Sequence, residues 1–170
     1  MDEQARRDFT EFVAARSPEL IRLAYLLAGD QHGAEDLLQS ALTKAAAHWG
    51  RIHSAPEGYV RRIMYRERVD RWRRRARRPE TTVAQVPERP AGDPAVSPEA
   101  RLALQDALRA LPPGQRAVLI LRYLEDLPES RVADILGCSV GTVRSQTHKG
   151  VAQLRSVLPS LGLTSTEVHR

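Results

Sequence analysis

Cysteine is almost missing from this sequence, and Cys138 alone cannot close an internal disulfide. The five histidines, at positions 32, 48, 53, 148 and 169, are scattered, so no Cys/His cluster has the spacing of a zinc site and no metal is expected. Aromatic residues are few, with two Phe, two Trp and four Tyr, and β-rich runs between turn signals are absent. The apolar content, mostly Leu, Ala and Val, therefore points to helices. The acidic start Met1-Asp2-Glu3-Gln4 lacks the apolar run of a signal peptide, and no stretch approaches the length of a membrane span. A soluble, cytoplasmic protein is expected. Clustered carboxylates, a Gly-rich phosphate loop and a Ser/His/Asp arrangement are all lacking, which speaks against an enzyme, and no cofactor is expected.

What is abundant is arginine. Of 26 basic residues only Lys44 and Lys149 are lysine, and the net charge is +5. A polyanion partner fits that excess, although a coding bias toward Arg would also raise it. At 170 residues the chain has room for one ordinary domain or two small ones, and composition favours two small helical bundles. A first helix is predicted from about Gln4 to Ala28, with Phe9, Phe12, Val13, Leu20, Leu23, Ala24 and Leu27 on one stripe. Pro18 makes it either kinked or two helices. A turn at Gly29 to Gly33 leads to a second helix reaching about Trp49, with Leu37, Leu38, Ala41, Leu42 and Ala45 inward and Glu35, Asp36, Gln39, Ser40, Thr43 and Lys44 outward.

A third helix, from about Gly58 to Arg78, holds ten arginines from Arg61 onward against only Glu67 and Asp70, together with Tyr65 and Trp72. Such repulsion weakens an isolated helix, and phosphate binding is the evident reason to keep it. A solvated basic face is the bland alternative. From Pro79 to Pro98 five of the eleven prolines gather with no apolar period, the composition of an extended flexible linker.

Beyond it, helices are predicted from about Pro98 to Ala110 and from the break at Leu111-Pro112-Pro113-Gly114 to about Glu125. The stretch Glu129 to Arg155 then reads as a helix-turn-helix. Val132, Ile135 and Leu136 share a face, Gly137 ends the first helix, Ser139 caps the second, and Val140, Val143, Thr147, Val151 and Leu154 step by three and four. The other face shows Thr142, Arg144, Ser145, Gln146, His148 and Lys149, side chains able to bond base edges or phosphates. A surface hairpin with a solvated face would give the same pattern. Residues from Ser160 on carry no period and are expected to fray.

Taken together, the two halves resemble a bacterial RNA polymerase sigma factor of the extracytoplasmic-function type, which keeps only the second and fourth sigma regions. The likeness lies in Ala34-Glu35-Asp36-Leu37-Leu38-Gln39-Ser40-Ala41-Leu42, in Gly58-Tyr59-Val60-Arg61-Arg62-Ile63 with Val69-Asp70-Arg71-Trp72-Arg73-Arg74, in Leu111-Pro112-Pro113-Gly114-Gln115-Arg116, and in Leu136-Gly137-Cys138-Ser139-Val140-Gly141-Thr142-Val143-Arg144-Ser145. Four such motifs stand in order, split by a linker.

The resemblance implies region 2 at 5–78, a linker at 79–97 and region 4 at 98–158. It implies that Glu35, Asp36, Gln39 and Ser40 dock on the clamp of core RNA polymerase, and that Arg51, Tyr59, Arg61, Arg62, Tyr65, Arg66 and Arg73 serve the −10 element. Thr142, Arg144, Ser145, Gln146, His148 and Lys149 would serve the −35 element, and the apolar surface around Val118 to Tyr123 would meet the flap. Promoter DNA and core polymerase are the implied partners; such relatives are commonly held by an anti-sigma factor too, though no residue here demonstrates one. Where many relatives carry Asn in the third helix, this chain has Arg66. A dimeric helix-turn-helix regulator and an Arg-rich RNA-binding protein are the competing readings.

Overall fold

The structure, a computed structural model, describes residues 2–52, 54–77 and 98–157. The Pro-rich segment 79–97 and the tail from 160 on, both singled out above, lie outside the described residues. All regular structure among the described residues is helical.

Helix α1 (Glu3–Ala28) starts where the Asp2 carboxylate accepts the Ala5 N–H at 2.7 Å, satisfying one of the orphan donors of a helix start. Pro18 neither ends nor splits it. A proline removes one backbone bond, and here both Pro18 and Ala14, whose carbonyl loses its partner, are exposed, so water replaces the missing donor. Gly29, at φ 88°, closes the helix in the left-handed conformation, its N–H donating to the Tyr25 carbonyl at 2.8 Å. Asp30 at once caps α2 (Gln31–His48) by accepting the Gly33 N–H at 2.7 Å. The tight turn makes α1 and α2 an antiparallel pair, sealed at its open end by Trp49, whose ring lies 4.9 Å from Phe9 and 5.0 Å from Phe12. A 3-10 turn (Trp49–Arg51) then leads toward α3 (Pro56–Arg77), which buries Val60, Met64, Tyr65 and Val69 against the pair.

The second bundle comprises α4 (Pro98–Arg109), α5 (Pro113–Leu119), a π-helical turn (Ile120–Leu124), α6 (Glu129–Leu136) and α7 (Val140–Val157). Pro113 opens α5 at a position whose N–H would lack a partner anyway. Where the sequence predicts one helix to about Glu125, the chain instead widens into the π turn after Leu119. Glycine matters at one crossing: a Cβ on Gly150 of α7 would stand 3.0 Å from Leu119 Cδ1, so its absence lets α7 lie close on α5.

The two bundles are packed together. One buried cluster runs from Leu20, Leu37 and Met64 in the first to Val118, Leu121, Val132 and Val143 in the second. Helix α3 meets α5 and α6, and the end of α1 meets α4 and α5. Sequence periodicity identifies each bundle's inner faces but carries no information on this mutual packing. Leu37, only 1% exposed, sits in the seam of α1 and α2. Leu37→Ala should cost about 2–5 kcal/mol in urea unfolding, and an unchanged midpoint would show that this seam does not hold the first bundle.

Candidate nucleic-acid interface

The helix-turn-helix forms where the sequence places it. Val132, Ala133, Ile135 and Leu136 bury the inner face of α6, and Gly137, at φ 62°, ends it with its N–H on the Ala133 carbonyl. Ser139 caps α7: its Oγ accepts the Thr142 N–H at 3.1 Å and lies 2.9 Å from Thr142 Oγ1. Val143 is fully buried, which fixes the rotation of α7 about its axis. With that rotation, Thr142, Arg144, Ser145, His148 and Lys149 are exposed and Gln146 is half-buried. The structure thus brings the six residues singled out for DNA onto the open side of one helix. Arg144 is already oriented, its Nε donating to Glu129 Oε2 at 2.7 Å while its side chain stays 70% exposed. Cys138, in the turn, is half-buried; burial pushes its thiol up, and Arg73 partly opposes this.

Helix α3 resolves its crowding of like charge by giving its arginines separate partners. Arg61 donates to Glu57 at 2.9 Å and pairs with Glu125 of the second bundle. Burial alone would lower that guanidinium, but the bond to Glu57 and the fields of both carboxylates outweigh it and leave it raised. Tyr65 is 2% exposed, its hydroxyl 3.2 Å from Glu125 Oε1; burial, reinforced by Glu125, holds the phenol neutral far above its usual range. Arg66 donates to the carbonyls of Ile135 at 2.7 Å and Asp134 at 3.0 Å. Arg71 pairs with Glu67 at 3.4 Å, and Arg73 lies 3.8 Å from Asp70. Arg51 and Arg62 are exposed, and Tyr59 is half-buried against the core. Of this set, then, Arg51, Arg62 and Arg73 are open to solvent or loosely paired, whereas Arg61, Tyr65 and Arg66 face the second bundle.

On α2, Glu35, Asp36 and Gln39 are exposed, and half-buried Ser40 donates to Glu67 at 2.9 Å. Glu67 was not singled out by its sequence, yet it is the hub here: 8% exposed, it also binds Lys44 at 2.8 Å and so ties α2 to α3. Its signal was its rarity, as one of two carboxylates in the arginine run. A second missed feature is the groove between α1 and α2, lined by Phe9, Val13, Ile21, Leu38 and Leu42 with Glu35 and Gln39 at its rim. The apolar surface expected from Val118 to Tyr123 is mostly interior. Val118, Leu119, Ile120 and Leu121 are buried because the second bundle closes over them, and only Tyr123, with neighbouring Leu124, stands out at 65% and 62% exposure.

Comparison with known proteins places this geometry. Residues 12–78 match the family model for Sigma-70 region 2, and residues 101–154 match that for Sigma-70 region 4. The chain is 36% identical over 165 residues to the RNA polymerase sigma-E factor of Streptomyces coelicolor, covering 96% of this chain and 93% of that protein. The chain belongs to the extracytoplasmic-function sigma factors. As such it is a transcription initiation factor rather than an enzyme, one that works with core RNA polymerase in promoter recognition. The sigma factor is also 27% identical to the ECF RNA polymerase sigma factor SigW of Bacillus subtilis, with 90% of each chain covered. Among solved structures it is similar to the sigma factor RpoE of Bartonella quintana, crystallised with the anti-sigma factor NepR, at a TM-score of 0.64 and 25% identity, covering 90% of this chain and 98% of that one. Among the described residues no helix of this sigma factor is long and apolar enough to cross a membrane. Because Ser139 both caps and orients α7, Ser139→Ala should lower stability by about 1 kcal/mol in thermal unfolding, whereas an unchanged melting curve would deny the cap.

Proposed function

We propose that the division of labour follows the two bundles: residues 5–78 bind core polymerase and the −10 element, 98–158 bind the −35 element, and 79–97 link them. The observation that carries this reading is the open face of α7, where Thr142, Arg144, Ser145, Gln146, His148 and Lys149 lie opposite buried Val143. A helix so presented fits a major groove with its N-terminal half toward the bases, and Arg and Lys supply bonds to guanine or phosphate. In the first bundle, Arg51, Tyr59, Arg61, Arg62, Tyr65, Arg66 and Arg73 hold the unpaired −10 strand by phosphate contact and stacking. Glu35, Asp36, Gln39 and Ser40 dock on the polymerase clamp, with the adjoining apolar groove adding contact area. Tyr123 and Leu124 are the apolar pair offered to the flap. Two modest contacts on one chain reinforce each other through effective concentration, and their combined binding favours strand opening.

The work of such a factor lies in the cytoplasm, with polymerase and promoter. An anti-sigma factor is a further partner, supported by the similarity to a sigma factor crystallised with one.

Run-off transcription and gel shift test the assignment together. The chain should bind promoter DNA poorly alone and direct run-off once core polymerase is added; indifference to core would defeat the reading. Arg144→Ala should cost about 1–3 kcal/mol in −35 binding, and Lys149→Ala should weaken binding and flatten its salt dependence, both with core binding intact. Conversely, Asp36→Arg should compete poorly for core, and undiminished competition would remove the role given to α2.

A further inference from the structure

The basic helix and the helix-turn-helix bundle do not stand apart. One side of α3 lies along α5, the π turn and α6, and three residues assigned above to the −10 strand are among those that meet it. Arg61 and Tyr65 both bond Glu125, and Arg66 binds the carbonyls of Asp134 and Ile135. One turn beyond, Trp72 lies against Gly114, its Cζ3 only 3.4 Å from where a Cβ would stand. The groups opposite these arginines are a carboxylate and the carbonyl end of a helix, whose dipole gives it partial negative charge. The second bundle therefore offers α3 the same electrostatic features as a phosphate backbone.

Anchors at the other end of the interface also come from the second bundle. Arg109 bonds the Tyr25 hydroxyl and stacks 5.4 Å over its ring, and Arg116 reaches the Leu27 carbonyl at 3.0 Å.

We infer that the second bundle serves as an intramolecular substitute for DNA on α3, so that the free sigma factor is held closed and must be parted before Arg61, Tyr65 and Arg66 can take a strand. The inference rests on the assignment of α3 to promoter DNA. Closure competes directly with binding: the apparent affinity of α3 for a strand falls by the fraction of molecules that are open. The latch is reversible in character, since the Arg61 and Glu125 side chains remain 26% and 22% exposed and water can take over their bonds.

The test uses the full chain with Glu125→Gln and Arg109→Ala combined. Both residues lie in the second bundle, neither is assigned to DNA or core, and together they leave the net charge unchanged. A gain in affinity thus has no origin in bulk charge. The probe is a mixed-sequence single-stranded DNA of about 20 nucleotides followed by fluorescence anisotropy, because capture by arginine and aromatic rings tolerates sequence. The double variant should bind about tenfold more tightly than the wild-type chain, with Glu125→Gln alone giving part of the gain. A charge-matched control, Glu11→Gln with Arg7→Ala on the exposed side of α1, should leave affinity unchanged. Affinity within about twofold of wild type for both Glu125 variants, or an equal gain in the control, overturns the closed state. The isosteric single variant keeps the test readable should the double variant lose helix content. Run-off transcription by the wild-type chain judges the promoter role separately, while the affinity ratio judges closure.

Discussion

The bond on which most of this architecture depends is that between an arginine and the carbonyl end of a helix. The last carbonyls of any helix lack intrahelical donors and concentrate the negative end of its dipole. At the end of α1, the Leu27 carbonyl accepts from both Arg68 and Arg116, and Ala28 accepts from Arg68. At the end of α6, Asp134 and Ile135 accept from Arg66. Arginine suits this work because its planar fork reaches two acceptors at once. In each case the donor belongs to a different helix, so capping and packing are one event.

Arg116 shows how far the device extends. It is 4% exposed, has no carboxylate partner, and is held by the carbonyls of Leu27, Arg109 and Leu111. Burial draws its guanidinium down to about 10, with Arg68 and Arg109 adding repulsion and Asp30 partly opposing. That value still leaves it charged at neutral pH, as expected of arginine. Gly29 gives it room: a Cβ there would stand 2.8 Å from Arg116 Nη1. The left-handed glycine that ends α1 therefore also admits the second bundle's arginine.

Much of this was legible in the sequence. The 3.6-residue period located the helices, Gly137 and Ser139 marked the turn before α7, and the stepping of Val143 through Leu154 identified which side of α7 is open. Pro18 could not be decided, because whether a proline breaks a helix depends on whether its orphaned carbonyl faces water. The contact between bundles was beyond reach for a different reason. Arg66 and Ile135 are 69 positions apart, and a guanidinium seeking backbone carbonyls leaves no pattern in side-chain chemistry. Arg116, set beside the apolar run Ala117-Val118-Leu119, was the one visible hint of a buried charge.

The π turn after α5 bears on how length is tolerated in this fold. Glu125 donates its N–H to the Ile120 carbonyl at 3.0 Å, a five-residue step where an α-helix takes four. In geometric terms the chain carries one surplus residue there, which advances everything beyond it by about 100° around the axis. Glu125 faces α3 only because of that advance. A relative lacking the surplus residue would keep the helix, the turn and the recognition surface, yet aim the carboxylate elsewhere. One codon, at a site touching neither DNA nor polymerase, is thus enough to decide whether the two bundles recognise each other.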